Sequence, residues 1–113
     1  MHEVGIMQSA LEAVEKQARA SGATRIHEIR MRVGRMRGVV VEALQHAFTV
    51  LRDGTLAAEA RLTVDLVPAA CWCAGCQKEF ECPDWYSECP SCGIPSNDLR
   101  RGMELELVTM EIE

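Results

Sequence analysis

Two Cys-x2-Cys pairs, Cys73-Ala-Gly-Cys76 and Cys89-Pro-Ser-Cys92, constrain this chain more than anything else in it. Each pair sets two thiols on one tight turn. Two such turns facing each other make a tetrahedron of sulfur, the geometry of a closed structural Zn²⁺ with Zn–S near ~2.3 Å. Twelve residues separate the pairs, and Gly93 follows the second where the knuckle must turn back. Residues 70–95 hold all six cysteines, both tryptophans and the one tyrosine. So small a stretch, with Trp72, Phe80, Trp85 and Tyr86 as its aromatic material, is expected to form a thin apolar patch and to fold on its metal.

Bulk properties bound the rest. At 113 residues, 48% apolar, 26% charged and a formal net charge of −5, the chain reads as one ordinary globular domain with room for a small second unit. The first residues, MHEVGIMQSALEAVEKQ, carry charges throughout and lack the apolar core of a signal peptide, and no run approaches bilayer length. A cytoplasmic chain with reduced thiols is expected, which favours metal over disulfides. Four thiolates on one Zn²⁺ make the loaded protein more acidic still, an unfavourable balance for binding nucleic acid.

Val4, Met7, Leu11, Val14 and Ala18 recur at steps of three and four, predicting an amphipathic helix over residues 3–20 that ends at Ser21-Gly22. Residues 24–33 (TRIHEIRMRV) predict a strand with Ile29, Met31 and Val33 on one face; Ile26 breaks the alternation. Residues 39–51 predict a second helix, with Val40, Ala43, Leu44, Ala47, Phe48 and Leu51 on one side. Asp53-Gly54 marks a turn, and residues 61–68 a second strand through Leu62, Val64 and Leu66. Residues 103–113 (MELELVTMEIE) predict a third, whose apolar phase changes between Leu107 and Val108. Arg30 and Arg32 are expected opposite Glu104 and Glu106.

The fold class that follows is α+β, two helices packed on a three-stranded sheet, with a zinc-ribbon unit inserted between the second and third strands. The expected division is residues 1–68 plus 97–113 for the α+β domain and 69–96 for the ribbon.

A closed sulfur site is structural, so cargo or chemistry must lie elsewhere. Met1-His2-Glu3 offers a free α-amine, the His2 amide nitrogen and the His2 imidazole in adjacent chelate rings, with the Glu3 amide nitrogen close by. A plane of nitrogens suits Ni²⁺ or Cu²⁺ rather than Zn²⁺. The same residues also read simply as a solvated chain end. Cys71 and Cys82 stand outside the two pairs as spare thiols, although Cys71 is close enough in sequence to compete with Cys73. His27, His46 and the arginines at 25, 30, 32, 35 and 37 read as surface, pairing or edge-protecting residues.

Met1-His2-Glu3, Val33-Gly34, Ala47-Phe48, Gly54-Thr55, Glu59-Ala60, Leu62 before Pro68, and Cys73, Cys76, Cys89 and Cys92 together closely resemble the HypA/HybF family of hydrogenase maturation nickel metallochaperones. The resemblance runs over essentially the whole chain. It implies Ni²⁺ transported on His2 and neighbouring nitrogens of Met1 and Glu3, and structural Zn²⁺ on the four cysteines. It also implies delivery with a HypB-type GTPase to the [NiFe]-hydrogenase large subunit, and in some organisms a link to urease maturation proteins. One departure is Gln77, where a glycine often follows the second cysteine.

Two other classes compete. A zinc-ribbon nucleic-acid module is opposed by the charge of residues 71–95, where Lys78 faces Glu79, Glu81, Asp84 and Glu88. A Cys-x2-Cys redox enzyme is opposed by the second pair at metal spacing and by the lack of a thioredoxin-like pattern. No nucleophile–base pair or phosphate-cradling loop is recognisable, so no catalytic activity is expected.

Overall fold

The computed structural model of the chain describes residues 2–83 and 86–113. Its elements in order are α1 (Glu3–Ala20), β1 (Ile26–Gly34), a 3₁₀ turn (Arg35–Arg37), α2 (Val41–Leu51), β2 (Arg61–Val67), β3 (Ala70–Cys73), β4 (Lys78–Glu81), β5 (Ser87–Glu88), β6 (Pro95–Ser96), β7 (Leu99–Arg101) and β8 (Leu105–Ile112). One three-stranded sheet runs β2-β1-β8, a second β4-β3-β7, and β5 pairs with β6. The chain divides into two compact units. One comprises Met1–Met31, Val39–Asp65 and Glu106–Glu113; the other comprises Arg32–Gly38 and Leu66–Leu105, drawing in residues on both sides of the cysteine-bearing stretch.

In the first unit, α1 buries Met7, Ala10, Leu11, Val14 and Ala18, the stripe that its spacing predicts. Val4, expected there too, is exposed, and Glu3 is buried in the first turn instead. The physical reason is polar. The Glu3 carboxylate accepts the Val40 N–H at 3.0 Å, at the N-cap of α2, which has no capping side chain of its own. α1 ends where Gly22 takes φ +76, so that Gly22 and Ala23 donate to the carbonyls of Arg19 and Ala18 at 3.0 and 2.9 Å. That is a Schellman close, which needs a residue free to turn left-handed.

On α2, Leu44, Ala47 and Phe48 are the buried face, while Val40 is exposed. On β1, Ile29, Met31 and Val33 are buried in alternation. Ile26 is buried as well, and its N–H bonds the Leu56 carbonyl at 2.9 Å, so the loop after α2 covers the strand's first residue. Because β1 is the central strand, its charges have neighbours on both sides. Arg30 takes Asp65 on β2 at 3.2 Å rather than the expected glutamates of the last strand. Glu28 takes Arg61 and Thr63 of β2 at 3.0 and 2.8 Å. Glu104 instead accepts the Gly102 N–H at 2.8 Å. Leu66 is exposed towards the end of β2, and Leu107 and Val108 on the edge strand β8 are both exposed, so neither face of β8 is fully covered.

Of the aromatic patch that its composition suggests, Phe80 alone among the described residues enters the second unit's buried cluster. Its buried cluster is Ala69, Cys71, Cys73, Phe80, Cys82 and Cys89, with Met36, Cys76 and Leu99 packed against it. Trp72 is half-buried under the Arg100 guanidinium, 4.8 Å from the ring centroid, and Tyr86 is exposed. Trp85 lies outside the described residues. Four thiols, Cys71, Cys73, Cys82 and Cys89, surround the Phe80 ring in this cluster, small polarizable groups that pack closely between short strands.

Candidate metal centre

Two short hairpins carry the four metal-spaced cysteines. In the first, β3 and β4 pair antiparallel with Cys71 opposite Phe80 and Cys73 opposite Lys78, so Cys73 to Lys78 is the hairpin tip. Gln77 stands there at φ +56, the left-handed turn for which a glycine is the usual solution, and its side chain donates to the Ala74 carbonyl at 2.8 Å. That bond offsets the strain at the one departure that the sequence shows. In the second hairpin, Ser87 pairs with Ser96 and Glu88 with Pro95. The Cys89 N–H bonds the Ile94 carbonyl at 3.0 Å, and Gly93, at φ +75, donates to the Cys89 carbonyl at 2.7 Å.

The tips bring Cys73, Cys76, Cys89 and Cys92 together with all four Sγ atoms within 4.8 Å of one another. Cys73 to Cys92 is 3.5 Å and Cys76 to Cys89 is 4.0 Å. A tetrahedron with Zn–S of ~2.3 Å has an S–S edge of about 3.8 Å, so the donor set and its spacing fit a four-coordinate zinc with no open position. The electrostatics favour a cation as well. Hydrogen bonds with Cys92 and Cys73 push the Cys76 thiol up to about 12. Burial opposes ionisation of Cys89, yet the backbone N–H groups of Ser91 and Cys92 outweigh it and bring that thiol down to about 6. Sulfurs this close cannot all carry charge unless a divalent ion sits among them.

Cys71 and Cys82, the two spare thiols, are both buried, and their sulfurs are 3.1 Å apart. Burial first, then Cys82, pushes the Cys71 thiol up to about 11. Neither joins the four-sulfur cluster. Cys71 precedes Cys73 by two residues on β3 and shares its face, but it lies one step further from the hairpin tip, where its sulfur partner is Cys82.

The N-terminal residues belong to the first unit. Met1 lies outside the described residues. His2 is exposed at the N-cap of α1; its carbonyl accepts the Ile6 N–H at 2.9 Å and its side chain makes no capping bond. The Glu3 carboxyl is held below its ordinary range by the Val40 N–H before all else. That carboxylate has a structural partner, which the sequence did not signal because the partner lies 37 residues away. His27 is 2.7 Å from Glu113, and His46 is exposed on α2.

The chain is similar to known proteins in sequence and in fold. A chain from Picosynechococcus sp. named hydrogenase maturation factor HypA is 41% identical over 112 residues, 99% of both chains. Its counterpart from Acidithiobacillus ferrooxidans is 32% identical over the full length of both. The solution structure of the Ni metallochaperone HypA from Helicobacter pylori shares the fold, with a TM-score of 0.68 over 99% of this chain and 97% of that one, at 22% identity. The family profile described as hydrogenase/urease nickel incorporation, metallochaperone, hypA matches residues 1–112, and by that match and these relatives the chain belongs to the HypA family.

Proposed function

We propose that this chain carries Ni²⁺ on nitrogens of Met1, His2 and Glu3 and hands it on during maturation of a [NiFe]-hydrogenase, while Cys73, Cys76, Cys89 and Cys92 hold zinc permanently. Family membership supports the nickel role, and the exposed His2 supports its place: an imidazole with no capping bond, next to the first-turn amides of α1. Those amides have no partner within the helix, so metal there does not break the helical ladder. The Glu3 carboxylate, committed to Val40, leaves its backbone nitrogen as that residue's contribution. A nitrogen set of this kind suits Ni²⁺.

Holding and releasing an ion need different sites from fixing one. Nitrogens at an exposed end can be displaced one at a time by a client's ligands, whereas a closed sulfur cage cannot. In this reading the division of labour follows residues 1–68 plus 97–113 for nickel and 69–96 for zinc. The chain is not an enzyme; GTP hydrolysis belongs to a HypB-type GTPase partner, and the receiver is the hydrogenase large subunit, with urease maturation proteins as further partners. It works in the cytoplasm, and neither nucleic acid nor a membrane is a partner. Among the described residues, no helix is long and apolar enough to cross a membrane.

The test is nickel titration of untagged, zinc-loaded protein beside His2→Ala and a form with residues added before Met1. The expected result is a square-planar nickel absorption band in the native-ended protein and its loss from both variants, with zinc content unchanged. Equal nickel uptake by all three refutes the N-terminal carrier.

A further inference from the structure

The geometry points to a redox-active dithiol, Cys71–Cys82, that lies behind the zinc site, reacts with low-molecular-weight disulfides and closes to an intramolecular disulfide without using a zinc ligand. Cys71 pairs directly with Phe80 across the β3–β4 ladder, and Cys82 lies two residues on, held by its N–H to the Ala69 carbonyl at 3.0 Å. The two cysteines therefore share one face of the hairpin and meet on its diagonal. Their sulfurs are 3.1 Å apart, and a disulfide bond of about 2.05 Å requires them to approach by only about 1 Å. Both are free thiols.

The two are not equivalent. Cys71 is fully buried, whereas Cys82 lines an open surface recess of about 410 Å³ together with Arg35, Pro68, Ala69, Glu81 and Pro83. Reagent arriving through that recess meets Cys82 first. A guanidinium and a carboxylate at the same opening match a reagent that carries both charges, as a peptide-like disulfide does.

The chemistry balances in two exchanges. The Cys82 thiolate, its proton released to solvent, attacks one sulfur of RSSR; the S–S bond breaks, a mixed disulfide forms on Cys82 and one thiolate RS⁻ leaves. The Cys71 sulfur then attacks the Cys82 sulfur, the proton from Cys71 goes to the departing thiolate, and a second RSH leaves. In sum, two protein thiols are oxidised to one disulfide and one RSSR is reduced to two RSH. The new bond closes residues 71–82 into a ring that contains the whole first knuckle, Cys73 and Cys76 included, and so fastens β3 to β4 behind the metal. No step involves nickel, so this inference stands or falls separately from the carrier role.

The experiment treats zinc-loaded, full-length protein with oxidised glutathione, blocks the remaining thiols with iodoacetamide, and maps linkages by mass spectrometry after non-reducing trypsin digestion. Cleavage at Lys78 separates the two partners. The expected wild-type product is a Cys71–Cys82 linkage, with zinc content unchanged. The Cys71→Ser variant is expected to stop at a glutathione adduct on Cys82, and Cys82→Ser to give no adduct on Cys71; zinc content reports whether each variant is folded. Finding both thiols of the wild type alkylated after exposure overturns the proposal. So does a linkage drawn from Cys73, Cys76, Cys89 or Cys92 with zinc lost, or a Cys71→Ser protein whose Cys82 remains free.

Discussion

Replacing Gly34 by alanine tests a close backbone approach in the second unit. A methyl group on Gly34 would fall on the Gly102 carbonyl and 2.5 Å from the Met103 nitrogen. Ordinary carbon contacts lie near 3.5–4.0 Å, so the segment carrying Gly102, between β7 and β8, must retreat by about 1 Å or more. Two hydrogen bonds hold it in place: Gly34 N–H to the Glu104 carbonyl and Met36 N–H to the Gly102 carbonyl, both 2.8 Å. Retreat is blocked from behind, because Gly102 itself sits at φ +118 with its own Cβ position 2.9 Å from the Ala69 Cα. Losing two backbone bonds at about 1 kcal/mol each, with about 1–3 kcal/mol of overpacking, gives a loss of about 3–5 kcal/mol. Urea unfolding of zinc-loaded protein, followed by tryptophan fluorescence and by circular dichroism, measures it. A loss below about 1 kcal/mol would show that the two segments are not packed as described, and the reasoning would fail.

Three further outcomes are expected. Stripping zinc with a strong chelator should remove amide-exchange protection from Ala70–Cys73 and Lys78–Glu81 while α1 and α2 keep theirs, since the second unit's core is largely thiol. Phe48→Ala, at a ring that is 1% exposed, should cost about 3–5 kcal/mol in a denaturant titration. Glu28 is held below its ordinary value near 4.5 by the Thr63 hydroxyl first and then by Arg61, so its stabilising effect is present above that pH and lost as pH falls through the lowered value. Thermal melts of wild type and Glu28→Gln should therefore differ at pH 6 and converge in acid; a gap that does not change with pH refutes the assignment.

What the residues alone determined is what depends on near neighbours in the chain. The three-and-four step of Met7, Leu11, Val14 and Ala18 set α1, and the alternation of Ile29, Met31 and Val33 set β1, because helical and strand periods are local properties of the backbone. The Cys-x2-Cys spacing likewise set two knuckles and, with them, a four-sulfur cluster. Tertiary structure decided everything that joins distant segments: Arg30 on Asp65 rather than on the last strand, Glu3 on the first turn of α2, and Gly34 against Gly102. It also decided that Cys71 and Cys82, unremarkable by spacing, meet in the core. Strand order and the diagonal of a hairpin make these pairings, and neither leaves a periodic mark in the sequence, because which strand lies beside which is settled by packing the whole chain at once.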